Sequence, residues 1–217
     1  MALNQFTVDS VRLKIPGRVL VALSAVFWVL WSTGPAVPED RSLADRLDRG
    51  EAVIEPEPPW QGAGHGYRLS YLVDVPIRVF WAFKTDFAGD FLTSNRYIES
   101  HRLIQREPLT AVTENRYTHR PGLVFVWKTT LYPDAYRMTY RLLNPEECNQ
   151  RFHFGEIQLT DHGNRTRVTQ TAYFEFLGAW FWYHNPLAGG MKAFLRYTAA
   201  WEQETAARLE SEYSAKP

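Results

Sequence analysis

Between residues 97 and 177, apolar and polar positions alternate along the chain with a period of two, as is typical of β-strands. Turn-forming pairs such as Glu107-Pro108 and Asn144-Pro145 divide this alternation into six segments. Short connections of this kind join antiparallel neighbours. The pattern predicts strands over residues 97–106, 110–119, 123–132, 136–143, 151–160 and 165–177.

Helical patterns flank these strands. An alternating segment at residues 67–75 leads into a helix with Pro76 in its first turn. Near the C-terminus, Asn185 and Pro186 provide the cap and first residue of a long helix. Its apolar stripe comprises Met191, Phe194, Leu195, Thr198, Trp201, Thr205 and Leu209, and the charged residues Lys192, Arg196, Glu202, Glu204 and Arg208 lie mostly off it. The element order predicts an α+β fold, with a curved seven-stranded antiparallel sheet wrapped around the long C-terminal helix.

The N-terminal segment, residues 1–36, has a different character. Three basic residues, the last of them Arg18, precede thirteen apolar or small residues at positions 19–31, and the next charge is Glu39. This pattern predicts a cleaved signal peptide or an uncleaved signal anchor, and the anchor is favoured. Whether the segment is a signal peptide or an anchor, the basic residues before it stay on the cytoplasmic side of the membrane. The globular part is therefore expected to be membrane-anchored or exported, and extracytoplasmic (periplasmic in a bacterium).

Residues 37–66 are predicted to be an acidic linker rich in Pro and Gly, containing one short helix and one brief strand. The Gly-containing stretch at residues 61–67 lacks the spacing of a phosphate-binding loop. The globular domain is predicted to span residues 67–217.

The segment DVPIRVFWAFKTDF at residues 74–87, together with the element order, resembles the START-like helix-grip superfamily (SRPBCC), which includes polyketide cyclases and lipid-transfer domains. The residues that carry the resemblance are Asp74, Pro76, Phe80, Trp81, Asp86 and Phe87. It covers about residues 67–213. The resemblance implies a deep cavity between sheet and C-terminal helix that holds an apolar small molecule. It does not identify the molecule, since fold does not fix chemistry.

In each strand, the residues on one face have large, mostly apolar side chains with a few polar groups among them. This combination is typical of small-molecule binding sites. The alternative is an ordinary core in which the rings fill the space. Glu114 and Arg116 belong to this face only if Val112 points inward. The candidate ligand-binding residues are Glu114, Arg116, Phe125, Trp127, Thr129, Met138, Tyr140, Gln170, Phe174, Phe176, Trp180, Trp182, Met191, Leu195 and Thr198.

Four adjacent rings, at residues 180–183, cannot all face one core. Some are expected to contact the ligand or a membrane surface, because Trp and Tyr suit the membrane–water boundary. The membrane contacts are therefore predicted at residues 19–36 and at residues 180–183.

Composition and motifs limit the chemistry. The 24 acidic and 24 basic residues balance, so nucleic acid is not an expected partner. The lone cysteine, Cys148, excludes an intramolecular disulfide, and no spacing of the six His predicts a metal site or cofactor. His153 and Glu156, three residues apart, are expected on opposite faces of their strand unless Gly155 forms a bulge.

Three functions are consistent with these patterns. The first is a non-enzymatic protein that binds and carries a lipid, isoprenoid or sterol-like compound at or near a membrane. The second is a cyclase or aromatase that uses Tyr140, Glu114 or His184 as proton donors in the same cavity. The third is an interaction module in which residues 180–183 bind a protein partner and no ligand is held.

Overall fold

The computed structural model describes residues 39–177 and 190–214 of the chain. Their helices and strands are α1 (Glu39–Asp48), β1 (Val53–Glu57), β2 (His65–Val73), α2 (Ile77–Thr85), β3 (Ile98–Glu107), β4 (Thr110–Tyr117), β5 (Phe125–Tyr132), β6 (Arg137–Leu142), β7 (Gln150–His162), β8 (Arg165–Phe176), α3 (Gly190–Glu204) and α4 (Ala206–Tyr213). The bounds of β3 to β8 fall within two residues of the predicted strands.

All of these strands join one antiparallel sheet in the order β1-β2-β8-β7-β6-β5-β4-β3. The sheet curves around the C-terminal helices, which confirms the α+β helix-grip fold. The predicted number of seven strands is wrong for the described chain, because the sheet has eight. The additional strand is β1, in which Val53 pairs with Ser70 and Glu57 with Gly66 of β2. The sheet therefore includes part of the segment predicted to be a linker.

The helix α1 also lies within that predicted linker. It packs Leu47 against Val53 of β1 and Leu72 of β2, forming a small apolar cluster separate from the main core. Burial of this cluster ties residues 39–57 to the edge of the sheet. The structured part of the chain thus begins well before residue 67.

Within residues 39–177 and 190–214, no helix is both long and apolar enough to cross a bilayer. The apolar segment at residues 19–31, predicted to be a signal peptide or anchor, lies outside the described residues. So do the predicted helix start at Asn185 and Pro186 and the rings at residues 180–183.

The main core lies between the concave face of the sheet, α2 and the C-terminal helices. Tyr71 of β2, Phe80 of α2, and Leu195 and Leu209 of the C-terminal helices are almost fully buried there. Each such side chain contributes about 1.5–3 kcal/mol on burial. The core also orders the C-terminus, because the Tyr213 ring lies 5.9 Å from that of Phe83.

The C-terminal helix is not continuous as predicted, because Thr205 separates α3 from α4. Thr205 has φ −95° and ψ 2°, and its hydroxyl donates a hydrogen bond to the Trp201 carbonyl at 2.8 Å. Back-bonding of this kind bends helices. The bend lets α4 continue along the core rather than away from it, with Leu209 and Tyr213 buried.

Glu202 was expected on the polar side of the C-terminal helix, and this expectation is wrong. Its side chain is 2% exposed and accepts hydrogen bonds from the Tyr71 hydroxyl and from Lys84 Nζ, the latter at 2.9 Å. Burial, followed by the negative charge of Glu202, raises the pKa of Tyr71 well above its ordinary value, so the phenol stays protonated. This network joins α3 to β2 and to α2.

The Glu202→Gln substitution is expected to lower the free energy of unfolding by about 3 kcal/mol, because Lys84 then keeps a largely buried charge without its carboxylate. Urea unfolding followed by tryptophan fluorescence measures this loss. Glu204→Gln, at an exposed position on the same helix, is the matched control and should change stability little. Equal unfolding midpoints for the two variants would show that the network does not hold the helix.

Candidate functional site

The helix α3 and the concave face of the sheet enclose a cavity with two adjacent compartments. One, of about 220 Å³, is lined by Lys84, Tyr140, Gln170 and Glu202 among others, and we call it the Glu202 compartment. The other, of about 180 Å³, is lined by His119, Arg120, Phe125 and Gln150 among others, and we call it the His119 compartment. Both share the walls formed by Tyr97, Tyr117, Trp127, His153, Met191 and Phe194.

Small side chains at several of the sheet positions that line the cavity leave space in front of α3. Thr113 of β4, Thr129 of β5 and Ala172 of β8 are buried and line the Glu202 compartment, opposite Thr198 of α3. None of these side chains reaches across to the opposite wall. An engineered protein cavity of about 150 Å³ binds benzene, so either compartment has room for a small apolar group.

Most of the predicted site residues line this cavity. Those in the Glu202 compartment are Trp127, Thr129, Met138, Tyr140, Gln170, Met191, Leu195 and Thr198. Phe125 lines the His119 compartment. Phe174 is buried on the same face of β8 but does not line either compartment, and its ring lies against those of His153 and Phe176, at 5.8 and 5.3 Å. Trp180 and Trp182 lie outside the described residues.

Glu114 and Arg116 are not in the cavity, which corrects the prediction that placed them there. Ala111 and Thr113 are the buried residues of β4, so the intervening positions face outward. Glu114 forms an ion pair with Arg102 of β3 at 2.8 Å on that outer face. The prediction failed because it required Val112 to point inward, whereas the smaller Ala111 and Thr113 are the buried residues.

Gln150 and His153 are among the cavity residues that the sequence did not predict. They are three residues apart, so strict alternation places them on opposite faces. A β-bulge between Gln150 and Phe152 shifts the register, and both side chains are buried, with 4% and 8% of their surface exposed. Glu156 follows the regular alternation and pairs with Arg137 on the outer face, as expected.

Tyr140 is held in a fixed position within the cavity wall. Its hydroxyl donates to the Thr171 carbonyl at 2.8 Å and accepts from Gln170 Nε2 at 3.1 Å. Gly155 of β7 makes this possible, since a Cβ there would collide with both the Thr171 carbonyl oxygen and the Tyr140 hydroxyl. Burial raises the pKa of Tyr140, so the group is a neutral hydrogen-bonding partner.

Two histidines line the Glu202 compartment, and they differ in their surroundings. His101 has partners at both ring nitrogens, Asn115 Oδ1 at 2.7 Å and the Phe87 carbonyl at 2.9 Å. His153 Nδ1 has no hydrogen-bond partner in residues 39–177 and 190–214. Burial lowers the pKa of His153 to about 3, so its imidazole is neutral at physiological pH.

The site is suited to binding. Lys84 and Glu202 neutralise each other, Asp86 and Arg120 are the other Asp, Glu, Lys or Arg residues in its walls, and most of the remaining lining residues are apolar. Among the described residues, no group of three or more His, Cys, Asp or Glu side chains is placed to hold a metal ion. Cys148 is buried outside the cavity lining, and burial together with Glu147 raises its pKa to about 11.

Comparison with solved structures shows the same fold in other proteins. An 18 kDa protein of Caulobacter crescentus, CC1736, matches with a TM-score of 0.54 at 15% identity, covering 68% of this chain and 99% of that one. The protein TTHA0849 from Thermus thermophilus matches with a TM-score of 0.52 at 14% identity, covering 69% and 97%. A STAR-related lipid transfer protein (a fragment) from Xanthomonas axonopodis has a TM-score of 0.47 at 12% identity, covering 70% and 98%.

At these identities the likeness establishes the fold alone, which is the helix-grip arrangement of sheet and C-terminal helices that the sequence resemblance implies. No protein-family profile matches the sequence, and no curated protein matches it.

The buried, neutral His153 is expected to make stability depend on pH. Because its pKa falls from 6.5 to about 3 on folding, its contribution is full above pH 6.5 and is lost as the pH falls. The loss from this group between pH 6.5 and pH 4 is about 3 kcal/mol in the free energy of unfolding.

This pH dependence is measured by urea unfolding across that range. In the His153→Phe variant, the decline between pH 6.5 and pH 4 should be smaller than in the unmodified protein by this amount. His162→Phe, at an exposed position of β7, is the control and should retain the original decline. A His153→Phe variant with an unchanged decline would mean that the imidazole is protonated in the folded protein.

Proposed function

We propose that this protein binds a hydrophobic small molecule, such as a lipid, isoprenoid or sterol-like compound, between the sheet and α3 and carries it without chemical change. The observation that supports this most directly is the cavity itself, whose walls include Met138, Ile157, Leu195 and Trp201. Apolar walls with a small number of oriented polar groups characterise small-molecule sites.

An apolar ligand would restore contacts that the cavity walls lack. Side chains beside a void lose dispersion contacts on one side, and a void lined by apolar groups does not attract water strongly. Binding of an apolar molecule therefore improves packing as well as removing the ligand from water. Both effects favour uptake without requiring a strong polar contact.

The groups considered for proton donation in a cyclase support catalysis less well. The Tyr140 hydroxyl already forms hydrogen bonds with the Thr171 carbonyl and with Gln170 Nε2. Its raised pKa also disfavours release of the proton. Glu114 lies on the outer face of β4. His184 lies outside the described residues. We therefore favour binding over turnover.

The Thr129→Phe substitution is expected to weaken binding of the neutral fluorescent probe N-phenyl-1-naphthylamine by at least about tenfold, equivalent to 1.4 kcal/mol, because the ring would occupy the Glu202 compartment. Fluorescence titration measures the affinity. Thr130→Phe is the matched control, since period two places residue 130 on the opposite face.

The purified unmodified protein should also release apolar material into an organic extract, detectable by mass spectrometry, and Thr129→Phe should release less. Binding that survives Thr129→Phe, in a variant with unchanged circular dichroism, would place the ligand elsewhere and contradict the proposal.

We also propose that the chain is held at a membrane by residues 19–36, with the globular part on the extracytoplasmic side. The charge pattern supports this, because Lys14 and Arg18 precede the apolar run and fix its orientation. A second contact through the rings at residues 180–183 would bring the ligand cavity close to the lipid source. Trp and Tyr are suited to that position.

The membrane proposal predicts that the full chain sediments with membranes and resists an alkaline wash. Placing two charges in the apolar run, by Leu23→Glu together with Val26→Glu, should release it, since each charge at a span centre costs about 2.5–3.5 kcal/mol. Fractionation with immunodetection measures the distribution. Two charges placed at exposed positions of the folded domain, by Leu109→Glu together with Leu143→Glu, are the control. Release of the unmodified chain by the wash would contradict anchoring.

A further inference from the structure

Gln150 and His153 form a polar region in the wall of the His119 compartment. The β-bulge at the start of β7 turns both side chains toward the interior, where 4% and 8% of their surface is exposed. Gln150 Oε1 and His153 Nδ1 have no hydrogen-bond partner among the described residues. A buried polar atom without a partner costs about 1–3 kcal/mol, so two of them in one place require an explanation.

The Trp127 indole belongs to the same region. Its ring lies 4.9 Å from that of His153, at an interplanar angle of 81°. The indole Nε1 makes no hydrogen bond of ordinary geometry, although the Tyr117 hydroxyl is close enough to interact with it weakly. In this region the His119 compartment is thus lined by three polar groups: the Gln150 side-chain carbonyl, the His153 imidazole and the Trp127 N–H.

We infer that the ligand carries a hydroxyl group and that this group binds between Gln150 and His153, while the apolar body extends into the Glu202 compartment. This inference rests on the proposed binding function. A hydroxyl both donates and accepts one or more hydrogen bonds. It therefore donates to Gln150 Oε1 and accepts from the imidazole or from the Trp127 N–H.

A neutral group suits this region better than an ion. The His153 imidazole carries no charge at physiological pH, since burial lowers its pKa to about 3. At the other end of the cavity, Lys84 is already paired with Glu202 at 2.9 Å. Arg120 also lines the His119 compartment and is the residue that a carboxylate would use, so a carboxylate is the alternative that an experiment must separate.

The unpaired atoms are covered by protein, so the Gln150 and His153 side chains must rotate when the hydroxyl binds. Changes of side-chain rotamer are common on binding even where the backbone is fixed.

The test compares three probes of one shape in the full-length protein at pH 7: naphthalene, 2-naphthol and 2-naphthoate. Calorimetry or fluorescence titration measures each dissociation constant. We expect 2-naphthol to bind about tenfold more tightly than naphthalene, as two hydrogen bonds of ordinary net strength would give. 2-Naphthoate should bind more weakly than 2-naphthol.

Substitution then assigns the contact. The double variant Gln150→Leu/His153→Phe should bind 2-naphthol no better than it binds naphthalene, and the ratio of the two dissociation constants within the variant is the quantity compared. His162→Phe, at an exposed position of the same strand, should retain the preference for 2-naphthol.

Equal affinities of the unmodified protein for naphthalene and 2-naphthol would overturn the inference and leave the proposed binding function intact. Tighter binding of 2-naphthoate than of 2-naphthol would also overturn it, in favour of a carboxylate at Arg120. Failure of all three probes to bind would count against the binding function itself. These comparisons use the unmodified protein, so they decide the question even if the double variant does not fold.

Discussion

The buried carboxylate of Glu202 determines where the C-terminal helices lie. A carboxylate that is 2% exposed is tolerated only when it is paired, and here Lys84 of α2 and Tyr71 of β2 both reach it. The residues after this point, including Leu209 and Tyr213, pack into the core. Residues before it, including Met191 and Thr198, line the cavity. The ion pair thus marks the boundary between the packed and the hollow parts of the interior.

The hollow part persists because neither wall can move inward. The sheet is continuous from β3 to β8, and its curvature is fixed where Tyr140 crosses over Gly155 to reach the Thr171 carbonyl. On the other side, α3 is fixed at Glu202. Small residues such as Thr129 and Ala172 then leave space that the rigid frame cannot close. The cavity follows from these fixed distances together with the choice of small side chains.

The sequence predicts the sheet well and the polar interior poorly. Strong alternation and Pro- or Gly-containing turns define β3 to β8. By contrast, β1 is a five-residue edge strand with a proline, and the sequence predicts it only as a brief strand within a linker. Glu202 looked exposed because its partners, Lys84 and Tyr71, are distant in the chain. The inner face of β4 was misassigned because Val112 is bulkier than Ala111 and Thr113. Gln150 lies inside because of a bulge, which no periodicity reveals.

The two ends of the cavity differ in what they can contribute to recognition. Lys84 and Glu202 already form an ion pair with each other. A ligand group at that end could bind either side chain only by breaking this ion pair. At the Gln150 end, buried polar atoms without hydrogen-bond partners in the described part of the chain already lower the stability of the protein. A hydrogen bond between the ligand and one of these atoms therefore replaces no existing hydrogen bond of that atom. Apolar walls accept many molecules of suitable size, since apolar burial has no direction. The polar atoms at the Gln150 end must therefore determine the orientation of the ligand. They must also determine which of several similar hydrocarbons is preferred.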